Sequence, residues 1–352
     1  MLRPDFLGFG VQFHRCLAHS LLISGFGGFF MDSNQKIDVA VIGAGIAGLW
    51  ACKKLRRAGF GVALIDKSRG LGGRMATRRA GKLQFDHGAQ FFTASKPAFL
   101  GLVSELVTDD LCAKWFADRY VAIPRMSAIG RGLLDSEEGL YLNQQVRRIH
   151  REASGWFIEF EQSGHDIIGN GYITNIVIAV PAPQAIDIIG AEYSGFEKLK
   201  SVQYAPCWTL MLALEKPLQS DDVYMEFPDG HALRSISQNS NKPCRGEVAG
   251  LHTIVVHASQ DWSIQNLEHD KETVQDALLS IVSDIFNFQT PPHYISAHRW
   301  RFAEVTQAAK VPFLWDSKIG LGACGDWCTG PRIELAFDSG NALANEIIAD
   351  RL

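Results

Sequence analysis

The chain has 352 residues, 47% of them hydrophobic and 20% charged, and its 34 Lys and Arg against 38 Asp and Glu give a formal net charge of −4. That apolar content excludes intrinsic disorder, and the near-neutral balance excludes the clustered excess of cations that a nucleic-acid surface needs. What remains is a globular chain with the core of an enzyme-sized fold, expected as one or two domains.

Residues 1–34 precede the first strand signal. Cys16–Phe30 is mostly apolar but carries His19 and several Ser and Gly residues, and it is too short to span a membrane, which takes ~20 apolar residues. Arg3 ahead of an apolar run is leader-like, yet no A-x-A cleavage site follows. With Met31 just before the first strand, the segment is expected to be a disordered extension or an upstream start, the alternatives being a docking segment or a targeting peptide. The seven cysteines are scattered and odd in number, which fits a reducing, cytoplasmic setting better than a disulfide framework. Cys324 and Cys328 form a lone C-x3-C without the second pair that zinc needs, so no metal is expected.

In chain order, Ile37–Ile42 is a β-branched run bounded by glycine and predicts a buried parallel strand. Ile46–Ala58 follows with helical character, closed by Gly59, and Val62–Ile65 is the next strand, so the chain opens as a βαβ unit. Phe99, Leu100, Val103, Leu106 and Val107 mark an amphipathic helix after Pro97. Tyr141–Ile149 and Trp156–Phe160 flank Ala-Ser-Gly as a hairpin, and Ile173–Val180 is a buried strand stopped by Pro181 and Pro183. Trp208–Leu214 and residues 231–257 are β-rich, Val274 to Phe286 is a helical core stripe, Ile319–Ala323 is a last strand, and Arg332–Leu352 is a closing helix. The fold class is therefore α/β, with a Rossmann-type nucleotide domain drawn from residues 35–95, 140–185 and 315–352. Residues 96–139 and 186–314 are left for a mixed α+β substrate domain.

The sharpest motif is Gly43-Ala-Gly45-Ile46-Ala47-Gly48, directly after a strand and opening a helix. The first glycine permits the tight turn, the second lets the backbone approach a pyrophosphate, the third permits close helix packing, and the helix N-terminus attracts the phosphate charge. Asp66, followed by Lys67, ends the second strand where an acid binds ribose hydroxyls. Gly73-Arg74 then brings flexible backbone and a cation toward the pyrophosphate. Near the C-terminus Gly325-Asp326 closes a strand, and the helix start at Arg332–Ala336, including Glu334, can direct N–H groups at the pyrimidine edge of a flavin. An extended FAD uses contacts from both ends of the chain, whereas NAD does not need the distal piece. FAD is the expected cofactor.

Asp66-Lys-Ser-Arg-Gly-Leu-Gly-Gly-Arg-Met-Ala-Thr-Arg-Arg79, Phe85-Asp-His-Gly-Ala-Gln-Phe-Phe-Thr93, His298-Arg-Trp-Arg-Phe302 and Gly325-Asp-Trp327 with Arg332-Ile-Glu334 and Ser339-Gly340 together resemble the renalase-like FAD oxidoreductases, from residue 37 or so to the C-terminus. More loosely, they are similar to flavin amine oxidases. The resemblance implies a p-hydroxybenzoate-hydroxylase-like two-domain fold with non-covalent FAD. It places Ala47, Arg74, Gln90 and Phe91 against the cofactor and the backbone of Val146 near the adenine. The activity it implies is oxidation of the 2- and 6-dihydro isomers of NAD(P) to NAD(P)+, with hydride passed to flavin N5 and O2 then reduced to hydrogen peroxide. Arg125 stands where relatives read glycine, and Leu335 takes another glycine position.

Hydride transfer from a dihydropyridine asks for alignment more than for a proton-transfer group, so the catalytic residue stays unassigned. His87 is a weak candidate against the plainer reading of a hydrogen-bonded histidine. On a strand, alternation sets His298 with Trp300 on one face and Arg299 with Arg301 on the other, so that an aromatic stacks on substrate or an arginine grips phosphate. Arg125 is a further phosphate candidate. Two other functions remain: a true amine oxidase with a facing aromatic pair, and a flavin redox sensor without turnover.

Overall fold

The computed structural model describes residues 37–161, 173–191, 193–220, 222–288 and 290–351. The short β-branched runs of the sequence become a six-stranded sheet in the order Leu314–Asp316, Leu321–Ala323, Asn175–Ile178, Val39–Ile42, Val62–Ile65, Leu140–Tyr141. Every pairing is parallel except that of Leu314–Asp316. Both faces of such a sheet must be covered, which is why Val39–Ile42 reads as a continuous apolar run. Val39 and Val41 pack with Leu49 and Leu343, from the helices Ile46–Arg57 and Ile333–Asp350. Ala40 and Ile42 pack on the opposite face with Ile149, Ile158 and Ala185.

The expected first hairpin strand divides in two. Leu140–Tyr141 joins the parallel sheet, and the hairpin proper is Val146–Glu152 against Gly155–Phe160. The break falls where Asn143 takes a left-handed conformation (φ 56°) and where Asn143 and Gln144 donate their N–H groups to the Ser68 and Asp66 carbonyls.

A second, antiparallel sheet runs Tyr224–Glu226, Leu233–Ser237, His252–Ala258, Gln203–Leu214, Tyr294–Gln307. One of its faces is closed by Val274, Leu278 and Val282 of the helix Lys271–Phe286, the stripe read from the sequence. The other carries Cys207, His257 and Trp300 toward a cavity.

Two glycines set the spacing at the first turn. Gly43 has φ +109° and a Cβ there would lie 2.5 Å from the Ala179 carbonyl oxygen, while one on Gly48 would lie 2.0 Å from the Gly43 oxygen. Gly340 does the same between helices, since its Cβ would meet the Ala47 oxygen at 2.2 Å.

Where the two sheets meet, a single carboxylate ties together segments far apart in sequence. Asp86 is 1% exposed. Its Oδ1 accepts from the Thr77 hydroxyl (2.7 Å) and the Met126 N–H (3.0 Å), and its Oδ2 from Arg245 Nη2 (2.7 Å) and Nε (3.2 Å), with Lys242 Nζ at 3.4 Å. Burial raises its pKa, and the two cations with these hydrogen bonds outweigh burial, so the carboxyl stays below its ordinary range. Burial pushes the Lys242 ammonium down to about 8, against the pull of Asp86.

Four outcomes follow from this packing. Gly340→Ala should lower the unfolding free energy in urea by about 1–3 kcal/mol, because backbone blocks the added methyl; Gly101→Ala, exposed in the middle of a helix with nothing within 4 Å of its Cβ, should raise it. Asp86→Asn should cost about 3–5 kcal/mol at neutral pH by leaving two buried cations without their counter-charge. Because the unfolded chain binds more protons between about 8 and the ordinary lysine value of 10.5, stability relative to Lys242→Met should climb with pH across that window. A flat difference would mean that the buried Lys242 ammonium keeps the ordinary lysine value.

Candidate active site

The cavity, about 350 Å3, lies between the two sheets. Its floor begins at Gly45, Ile46 and Ala47, the opening of the first helix. That helix has no side-chain cap and no acid in its first turn, so its positive end faces the cavity unneutralised. Gly73 packs close by, with a Cβ there only 3.2 Å from Gly45 Cα. The last helix also starts at the cavity, with Ile333 and Ala336 lining it and no side-chain cap on Arg332. Asp66 is held at the turn, where its Oδ2 accepts from the Ala44 N–H (2.7 Å) and its Oδ1 from the Ser68 N–H (2.7 Å).

Arg74 and Asp326, read separately from the sequence, are each other's partners. Arg74 Nη1 donates to Asp326 Oδ2 and Nη2 to Oδ1, both at 2.7 Å, a bidentate pair on the cavity wall. Gln90 lines the cavity from a fully determined position. Its Nε2 donates to the carbonyls of Asp86 (2.5 Å) and Gly88 (2.9 Å), and its Oε1 accepts from Lys242 Nζ (3.0 Å). Phe91 lines it too, edge-on to Tyr224 (5.2 Å, 87°) with Arg119 over its outer face (4.8 Å).

The alternation expected at 298–301 is present. His298 and Trp300 share a face, with ring centroids 4.6 Å apart, while Arg299 and Arg301 both turn to Glu268. Only Trp300 of these four lines the main cavity, and its Nε1 donates to the His87 carbonyl (3.0 Å). His298 lines a separate recess. His87 lies behind Trp300 and outside the cavity lining, its Nδ1 buried without a partner and its pKa pushed to about 3 by burial, then by His298 and Arg78. It is placed to act as neither base nor acid on a bound substrate.

Other sequence candidates fall outside the lining, among them Glu334, Arg301 and Arg125, and also Gly43, Gly48, Asp66, Lys67, Gly73 and Val146. Glu334 is a structural clamp: it accepts from the N–H groups of Ser95 (2.6 Å) and Lys96 (2.7 Å) and pairs with Arg332 (3.1 Å). Burial raises its pKa, and these hydrogen bonds outweigh that and hold it down. Arg301 is taken by Glu268, with Nη1 and Nη2 donating at 2.7 and 2.8 Å. Arg125 neighbours Arg79 and Arg131, with burial the main reason its pKa falls, and it lines neither recess. Lys67 is exposed and Val146 is a buried hairpin residue near Gln144, whose N–H meets the Asp66 carbonyl (3.0 Å). Cys324 and Cys328 are buried core thiols, with Cys328 pushed to about 12 by burial.

Sequence reasoning missed the far wall. Cys207, Tyr224, Arg234, His257 and Glu304 line the cavity there, and Arg234 is ion-paired to Glu304. These residues sit on all five strands of the antiparallel sheet, each with an unremarkable alternating pattern; only the finished sheet brings them to one face. His257 is held neutral, its pKa near 4, by burial and then by Arg234 and Lys242.

The residues present fit an extended dinucleotide: an uncapped helix start beside glycine backbone, an acid at the second strand end, and a second uncapped helix start across the same cavity. A family model for the NAD(P)-binding Rossmann-like domain matches residues 41–106. Two proteins from strains of Mycobacterium tuberculosis described as the flavin-containing monoamine oxidase AofH are 39% identical over 70 residues, which is 20% of this chain and 15% of theirs. The matched stretch thus spans a small part of those relatives. Among solved structures, one described as a protoporphyrinogen oxidase from Exiguobacterium sp. 255-15 superposes with a TM-score of 0.71 at 10% identity, covering 90% of this chain and 99% of that one. Putrescine oxidase bound to putrescine gives 0.63 at 14% identity over 90% and 99%. Cyclohexylamine oxidase from Brevibacterium oxydans IH-35A gives 0.60 at 14% identity over 90% and 100%. The chain thus has a mixed α/β fold, opening with a Rossmann-like dinucleotide-binding domain, that these oxidases share.

Proposed function

We propose that this protein is an FAD-dependent oxidase of the 2- and 6-dihydro isomers of NAD(P), holding FAD non-covalently and releasing NAD(P)+ and hydrogen peroxide. In this reading residues 35–95, 140–185 and 315–352 carry the cofactor, and 96–139 and 186–314 the substrate. Bound FAD would supply a hydride acceptor that O2 reoxidises. Gly45 to Gly48 would hold its pyrophosphate, Asp66 its ribose, and the start of the last helix, at Ile333 and Ala336, the flavin edge.

The observation that carries the substrate class is the Arg234–Glu304 pair on the far wall. Side by side they offer a donor and an acceptor, the complement of a carboxamide, which presents one C=O and one NH2. Both carboxylates that line the cavity, Asp326 and Glu304, are paired to arginines, so neither presents the uncompensated negative charge that would attract an ammonium. Phe91, Tyr224 and Trp300 supply flat apolar surface for a dihydropyridine ring. Neutral His257 takes no proton from such a substrate, and hydride leaves carbon without one needing removal.

A flavin amine oxidase is the second reading, favoured by the 70-residue likeness to AofH. Against it, Phe91 and Tyr224 meet edge to face at 87° and do not form two parallel walls.

Mixing the yellow holoprotein anaerobically with 2- and 6-dihydro-NAD and with a panel of amines separates the readings. Rapid bleaching by a dihydro isomer, with NAD+ released and peroxide formed on admitting air, is the expected result. Bleaching by amines alone would transfer the assignment, and bleaching by neither would leave a redox sensor. Arg234→Met should raise KM for the dihydro isomer about tenfold, the loss of one charge-assisted hydrogen bond, while FAD stays bound.

A further inference from the structure

Beside the cavity, across the His298–Trp300 pair, lies a second recess of about 240 Å3 at the free edge of the antiparallel sheet. Its lining carries three cations, Arg78, Lys271 and Arg299, beside the imidazoles of His269 and His298, with Asp270 the one acid. The acid is already engaged. Asp270 caps the sixteen-residue helix Lys271–Phe286, accepting from the Thr273 N–H (2.8 Å) and hydroxyl (2.7 Å). Arg299 is drawn to Glu268, which lies 3.5 Å away and also serves Arg301. Arg78 and Lys271 make no ion pair among the described residues, although Arg78 is half-buried.

The two histidines register the resulting field. His298 is held near pKa 4 by burial, then by Arg78 and Lys271, and His87 behind it keeps a buried Nδ1 without a partner. Cations converging on neutral imidazoles describe a place that lacks an anion.

We propose that this recess binds a phosphate group, and that it receives the phosphate-bearing tail of the substrate whose ring enters the main cavity past Trp300. Arg78 and Lys271 give charge-assisted hydrogen bonds, and the tautomeric N–H of His298 gives a neutral one. The tail assignment rests on the dihydronicotinamide reading above; the phosphate assignment does not. It predicts that mononucleotide and dinucleotide forms of the dihydro isomers are preferred over an uncharged N-alkyl dihydronicotinamide.

Inorganic pyrophosphate titrated calorimetrically into the FAD-loaded protein tests the recess without turnover. Arg78→Ala and the surface change Lys271→Ala should each weaken its binding by about tenfold, and the imidazole NMR signal of His298 should move to a higher pKa when pyrophosphate is present. In steady-state assays the same variants should lower kcat/KM for the mononucleotide relative to the N-alkyl compound by a similar factor, through KM. Pyrophosphate binding that ignores both substitutions, or an unmoved His298, would overturn the site. Weakened pyrophosphate binding with an unchanged substrate ratio would assign the recess to free phosphate and overturn the tail. If no dihydronicotinamide bleaches the flavin, the functional reading fails and calorimetry alone decides the recess.

Discussion

The Asp86 carboxylate is the junction on which the cavity depends. It sits at the base of the run from Asp86 to Phe91, and its partners come from Thr77, Met126, Lys242 and Arg245. A buried ion pair is poor evidence for stability by itself, since desolvation opposes the attraction. What the cluster gives is definition: with both carboxylate oxygens occupied and Lys242 also holding Gln90 Oε1, the amide of Gln90 has one orientation. Gln90 and Phe91 then enter the cavity from a backbone that has little freedom left.

A second constraint joins the ends of the chain. Arg74 follows the second strand and Asp326 follows the last, and their bidentate pair spans 252 residues. The close approach of Gly340 to the Ala47 carbonyl brings the last helix onto the first. Two helix N-termini therefore open on the same cavity with their dipoles unmatched by capping side chains. The first helix end carries about half a positive charge where an anionic cofactor would lie, while at the last helix Glu334, paired to Arg332, stands in the first turn.

The sequence disclosed best what is local. Gly43-Ala-Gly45-Ile-Ala-Gly48, Pro97 at a helix start and the alternation at His298 to Arg301 each express a backbone rule that works within a few residues, and each element formed as expected. Side-chain destinations followed less well. Glu334 was read as a cofactor contact because it opens the last helix, but its carboxylate turns away to cap the segment at Ser95 and Lys96. Arg301 was correctly placed opposite Trp300, yet Glu268, from a turn with no motif, claims it. The pairing of Asp86 with Lys242 and Arg245 gave no signal: a buried ion cluster has no period, and Asp86 lies more than 150 residues from both cations. The far wall was invisible for the same reason, since strand order, not sequence order, sets Cys207 opposite Trp300.

The charge states of the histidines in and around the cavity follow from burial and not from the choice of titratable residues. His87, His257 and His298 are all driven neutral, and in each case desolvation is the largest cause, with a nearby positive charge adding to it. Fixed cations persist because arginine does not give up its proton. The result is a cavity wall whose one lining histidine, His257, is held neutral and whose charges are arginine–carboxylate pairs. Such an environment favours chemistry in which a hydride moves and an anion is held, because both draw on preorganised charge and neither waits on a titration. It disfavours a route that begins by deprotonating an ammonium, for which a neutral base with a pKa near 7 would be required.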